Sequence, residues 1–180
     1  MPSFHDVLNF WFEELKPAQW FEKNPELDER IRTRFGTLHE QAARCELYGW
    51  RTGVQGRLAE IIVLDQFSRN IHRDTARAFA CDPLALALAQ EAVAKGLDRE
   101  LQPPMLGFLY LPYMHSESAA IHDIAIKLYD KPGLENNLDF EVRHKAIIER
   151  FGRYPHRNAA LGRPSSPEEH AFLQQPGSSF

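Results

Sequence analysis

The residues best suited to chemistry in this sequence stand in three short stretches. The first, LDQFSRNIHRD from Leu64 to Asp74, places Asp65, Arg69, Asn70, His72 and Arg73 at the end of an apolar run. Asp65 comes three residues after Ile62 and seven after Leu58, which turns it onto the apolar stripe of a helix. A carboxylate there needs a hydrogen-bonded cation. Arg69 supplies one, four residues on in the favourable order of acid before base, and His72 lies seven on along nearly the same face. Such a set either pins a helix to its neighbour, with Asn70 ending the helix in a left-handed conformation, or holds the head of a ligand. The second stretch, PYMHSE, puts His115 just before a helix start at which Ser116 caps and Glu117 complements the dipole. In the third, His144 shares a stripe with Phe140, Ile147, Ile148 and Phe151, and FGRYPHRN then sets Arg153, His156, Arg157 and Asn158 in a proline-broken segment where side chains can converge.

Charge directs these candidates toward anions. The chain as a whole carries a formal charge of -4, which argues against a general nucleic-acid or anionic-membrane binder. Yet Arg143, Lys145, Arg150, Arg153, Arg157 and Arg163 face a single acid, Glu149, in one segment. A locally basic stretch in an acidic protein suggests a confined anion site, and forked guanidinium donors suit carboxylate or phosphate. The leading expectation is that the ends of three helices bring Asp65, Arg69, Arg73, His115, Glu117, His144, Arg153, His156, Arg157 and Asn158 around one pocket for a small anionic ligand. The same residues would serve a hydrolase of phosphorylated or acyl compounds, with His144 or His156 as general acid or base. A peptide-binding helical scaffold is the third reading. No HExxH or paired His/Cys spacing marks a metal site and none is expected; no glycine-rich phosphate loop or dinucleotide fingerprint names a cofactor, and no GxSxG elbow surrounds Ser116. Whether the chain is an enzyme stays open at this level, as do its cofactor and oligomeric state.

The elements that must position these groups are helices throughout. Phe4, Val7, Leu8, Trp11, Phe12 and Leu15 fall on one helical face, opened by Ser3 and closed by Pro17. Asn24-Pro25 opens a second helix, whose stripe Leu27, Ile31, Phe35, Leu38, Ala42 and Cys45 runs toward Gly49. A third, from about Gly56 to Ile71, is apolar around most of its circumference and must be buried by neighbours. Asp82-Pro83 opens a fourth, closed by Gly96. Met105 to Met114 reads as a short helix broken before Pro112. The next begins at Ser116-Glu117 with Ile121, Ile124 and Leu128 inward, another starts near Leu138, and Ser166-Pro167-Glu168-Glu169 is a capping box for the last. At 180 residues this predicts one compact all-α domain of about eight helices. Cys45 and Cys81 show no CxxC spacing, the N-terminal stretch lacks the marks of a signal peptide, and no uncharged run is long enough to span a membrane, so a cytoplasmic location is expected.

Read together, FWFEE, LDQFSRN, TARAFACD, LPYMHSE and HKAIIERFGRYPHRNAALGR resemble the bacterial domain-of-unknown-function 924 family, over essentially the whole chain from Val7 to the closing GSSF. The resemblance implies an all-helical fold similar to tetratricopeptide-repeat proteins, with the helices in stacked antiparallel pairs, and carries no established activity. One position departs from the family's pattern: an aromatic residue is expected after RNI, where this chain has His72, which argues against His72 as an essential catalyst.

Overall fold

A buried rod runs through the centre of the molecule. In the computed structural model, which describes residues 1–180, every residue from Gly56 to Ser68 is buried. The rod consists of helix α3 (Val54–Ile62), a π-helical turn (Val63–Phe67) and helix α4 (Ser68–Ile71), and follows α1 (Phe4–Asn9) and α2 (Pro25–Ala43) in the chain. It packs against both, and also against α5 (Asp82–Ala94) and α6 (Met105–Met114). That surround is what its all-round apolar sequence requires. Its charged members are each paired: Glu60 with Arg51, Arg57 with Glu91, and Asp65 with Arg69 and His115.

The remaining α-helices are α7 (Ala119–Tyr129), α8 (Glu135–Phe151), a single turn α9 (Asn158–Leu161) and α10 (Pro167–Leu173), and there is no strand. Eight rods were expected from apolar periodicity, and α9 is the addition. Helix α7 lies against both α6 and α8. Most of the apolar interior is one continuous cluster built from α1 through α7, whereas Ile147, Ile148 and Tyr154 form a separate small cluster with Phe151 and Phe172. No helix is long and apolar enough to cross a membrane.

Several local expectations are corrected. Helix α6 continues through Pro112 to Met114, because every residue from Leu106 to Met114 is buried and the surrounding packing holds the turn that proline weakens. Helix α7 starts at Ala119, and Ser116 caps nothing; its carbonyl instead accepts from His122. On α7, Ile121 and Leu128 pack partly buried against the core as expected and His122, Ala125 and Tyr129 are buried, while Ile124 is exposed. Phe140 is exposed too, so the stripe of α8 begins at Glu141 and His144. Helix α2 ends before Cys45, which is exposed with a positive φ. Asn70 does not adopt a left-handed end; it stays helical and donates to Asp28 Oδ1 at 2.8 Å.

Candidate functional site

The π turn determines where the central carboxylate points. Widening one turn of a helix inserts a residue without breaking the rod, and such turns are enriched at functional sites. Here it carries Asp65, whose side chain is 1% exposed. Asp65 Oδ1 accepts from His115 Nδ1 at 2.7 Å, and Oδ2 accepts from Gln66 Nε2 at 2.7 Å. Arg69 Nη1 reaches the Asp65 carbonyl at 2.9 Å and Oδ1 at 3.4 Å. Burial alone would raise the Asp65 pKa, but the facing His115 and Arg69 hold it well below the usual carboxylate range. Burial and the Arg69 charge lower the pKa of His115, so a neutral ring donates Nδ1–H to the carboxylate. Its Nε2 makes no hydrogen bond within the chain.

Arg69 is claimed by a second acid. Its Nη1 and Nη2 clasp Asp82 at 2.8 and 3.0 Å, at the first residue of α5. Arg157 approaches the same carboxylate only to 3.5 Å, and its Nη2 donates to the His115 carbonyl at 2.9 Å. The Arg157 guanidinium lies between the rings of Phe79 and Tyr154, 4.7 Å from each centroid. The residue is only 5% exposed, and its Nε has no partner. Burial and the neighbouring Arg69 lower its pKa to about 10, which still leaves it charged at neutral pH. A buried donor without an acceptor costs about 1 to 3 kcal/mol.

Tyr154 joins this group to a second set of imidazoles. Helix α8 ends at Gly152 in the left-handed region, which only glycine adopts cheaply, and the chain turns so that Tyr154 is fully buried. Its hydroxyl donates to the Met114 carbonyl at 2.5 Å, and its backbone N–H donates to Glu117 Oε1 at 2.8 Å. His144 lies 5.7 Å and His156 5.8 Å from its ring. Burial first, then nearby positive charge including Arg157, pushes both imidazoles down to about 3, so both are neutral near pH 7. His144 Nδ1 donates to the Phe140 carbonyl at 2.7 Å, which leaves a lone pair on Nε2. His156 Nδ1 is buried without a partner. Beside them, His122 and Glu141 form a fully buried pair at 2.6 Å, and burial raises the Glu141 pKa.

The expected residues therefore fall into three groups. Asp65, Arg69, His115 and Arg157 meet directly, and His144 and His156 lie beside them across Tyr154. Glu117 and Asn158 flank the cluster through Arg163, which clasps Glu117 at 2.8 and 2.9 Å and donates to Asn158 Oδ1 at 2.9 Å. Arg73 and Arg153 stand apart from it: Arg73 is bound to Asp28 on α2, and Arg153 to Glu169 on α10. Phe79, Asp82, Tyr154, Arg163 and Phe180 also stand at the cluster, although the sequence marks Asp82 only as a helix opener and Arg163 only as part of the basic stretch. Asp82 had a sufficient local explanation as an acid at a helix start; the phrase TARAFACD, which holds both Phe79 and Asp82, was the available signal. No group of three or more His, Cys, Asp or Glu side chains is placed to hold a metal ion. Shallow clefts near Phe10 and Arg34, and near Trp50 and Leu101, lie elsewhere on the surface.

The model of the bacterial family of unknown function DUF924 matches residues 7–177. The chain belongs to the DUF924 family. Among solved structures, this DUF924 chain is similar to a protein of unknown function from Agrobacterium tumefaciens, with 40% identity, a TM-score of 0.90, and coverage of 95% of this chain and 96% of that one. No curated protein matches the sequence. Membership thus fixes this DUF924 protein's relatives and fold, while its chemistry has to be argued from the cluster itself.

Proposed function

We propose that the chain binds a small anionic molecule through Arg157, where the region 152–163 meets α5 and α6. The observation that carries this reading is the buried Nε of Arg157, left without an acceptor although two carboxylates are near. Asp82 is already clasped by Arg69, and Glu117 by Arg163, so the positive charge of Arg157 is the least compensated in the cluster. An anion supplies the missing acceptor, and a guanidinium held between two rings is already oriented to receive it. The test is thermal denaturation at constant ionic strength with inorganic phosphate and a series of carboxylates. The wild type should gain stability with ligand concentration by mass action, and Arg157→Gln, folded by circular dichroism, should not respond. Absence of any anion-dependent shift in the wild type overturns the reading.

A second reading, hydrolysis of a phosphorylated or acyl compound, draws support from the Asp65–His115 pair. A buried carboxylate that holds Nδ1–H leaves Nε2 as the basic atom of a neutral imidazole, the arrangement a general base requires. Turnover of a nitrophenyl phosphate or ester, with a pH profile in the imidazole range and lost in His115→Asn, would favour it. If His115→Asn keeps full turnover, the pair is a strut.

A further inference from the structure

The ring of Phe180 stands where a ligand's ring could stand. It remains 53% exposed, yet its centroid is 3.9 Å from that of His144, 4.5 Å from His156 and 5.3 Å from Tyr154, edge-on to the last two. Two imidazoles and a phenol ring thus make an aromatic mouth, and edge-to-face packing of this kind selects flat rings over branched aliphatic groups. The Tyr154 ring in that mouth also carries the Arg157 guanidinium at 4.7 Å. The hydrocarbon of Phe180 leaves polar atoms unserved there, because His156 Nδ1 and Arg157 Nε are both buried without partners. An inorganic anion would serve those atoms and leave the rings bare. A dianion would also meet the negative fields of Asp82 and Glu117, both of which act on Arg157. A single carboxylate suits one undercompensated guanidinium better.

We propose, building on the anion-binding reading, that the ligand is an aromatic carboxylate: its ring takes the place of Phe180 against His144, His156 and Tyr154, and its carboxylate accepts from Arg157 and His156. Phe180 then acts as an internal competitor. A ligand must displace it, so the apparent affinity of the wild type is lowered by the fraction of molecules in which the mouth is filled.

The experiment is calorimetric titration of wild type, Phe180→Ala and Arg157→Gln with 3-phenylpropionate, propionate and inorganic phosphate. Phe180 is half exposed, so its removal should leave the fold intact, as circular dichroism will verify. Phe180→Ala should bind 3-phenylpropionate about tenfold more tightly than the wild type does, with propionate little changed. Arg157→Gln should lose both carboxylates. If Phe180→Ala binds 3-phenylpropionate no better than propionate while Arg157 still governs both, the aromatic assignment fails and the anion site stands. Equal affinity of wild type and Phe180→Ala for 3-phenylpropionate overturns the position given to the ring. If none of the three probes binds the wild type or Phe180→Ala, the anion site and the aromatic assignment fail together.

Discussion

Asp65 shows how much structure a single buried carboxylate can organise. It gathers His115 from the end of α6, Gln66 from its own π turn and Arg69 from α4, all from a position 1% exposed. Removing one partner from such a group leaves the others' charge and donors uncompensated. Asp65→Ala should therefore destabilise the protein by about 3 to 5 kcal/mol, measurable by urea denaturation, whereas a loss below about 1 kcal/mol would mean that Asp82 alone satisfies Arg69. A second prediction concerns pH. His39 and His144 are 4% and 6% exposed, and burial lowers them to about 4 and about 3. Below about pH 6.5 each protonates in the unfolded chain while remaining neutral in the fold. The unfolded state then binds more protons, so stability falls as pH drops from 6.5 toward 4. Between pH 6.5 and 5 the loss should be about 1 to 2 kcal/mol for each imidazole. His144→Gln should flatten the slope between those pH values, and an unchanged slope would show that His144 is not shielded from water.

At the level of elements, much of the fold was legible because apolar spacing and caps are local signals. The Asn24 and Ser166 caps, proline in the first turn of α2 and α10, and Gly96 after α5 stand where the sequence placed them. The π turn was not legible. In Val63–Phe67 every side chain is buried, so no solvent face drifts in the sequence to betray the inserted residue. Ser116 was misread because its carbonyl, not its hydroxyl, is the group used, and the partner is His122 six residues on. The candidate site was legible in part for the same reason. Asp65, Arg69 and His144 announce themselves by being polar on apolar stripes, but nothing local indicates that Tyr154 and Phe180 will meet His144. One element contact gives a sharp test. The central rod crosses the segment Tyr48–Thr52 at Gly56, where a Cβ would lie 2.1 Å from the Trp50 carbonyl oxygen. Backbone cannot yield as a flexible side chain can. Gly56→Ala should cost about 3 kcal/mol, the upper end for overpacking, or more; a neutral result in urea denaturation would show that the segment can move away.

On the scale of the whole molecule, the polar cluster occupies a seam. On one side lies the large apolar cluster of α1 through α7; on the other lies the region 152–180, which contributes only Tyr154 and Phe172 to the small apolar cluster it shares with α8. Polar links join the two: Tyr154 to Met114 and Glu117, Arg157 to His115 and Asp82, and Arg163 to Glu117. Polar links, of which the Glu117–Arg163 pair is about a quarter exposed, are weaker than a large shared apolar interface. The region 152–180 should therefore open at lower free energy than the central rod, which gives a ligand a route to Arg157 without global unfolding. Glu117 is the residue to test, since its carboxylate holds the Tyr154 N–H and both Arg163 nitrogens while its side chain in the Glu117–Arg163 pair is 26% exposed. Glu117→Ala should speed hydrogen exchange in 152–175 by about tenfold or more, the equivalent of about 1.4 kcal/mol for losing charged hydrogen bonds, and leave exchange in 54–71 unchanged. Equal acceleration in both regions would mean that the seam does not exist as a separate unit and that the cluster opens only when the whole protein does.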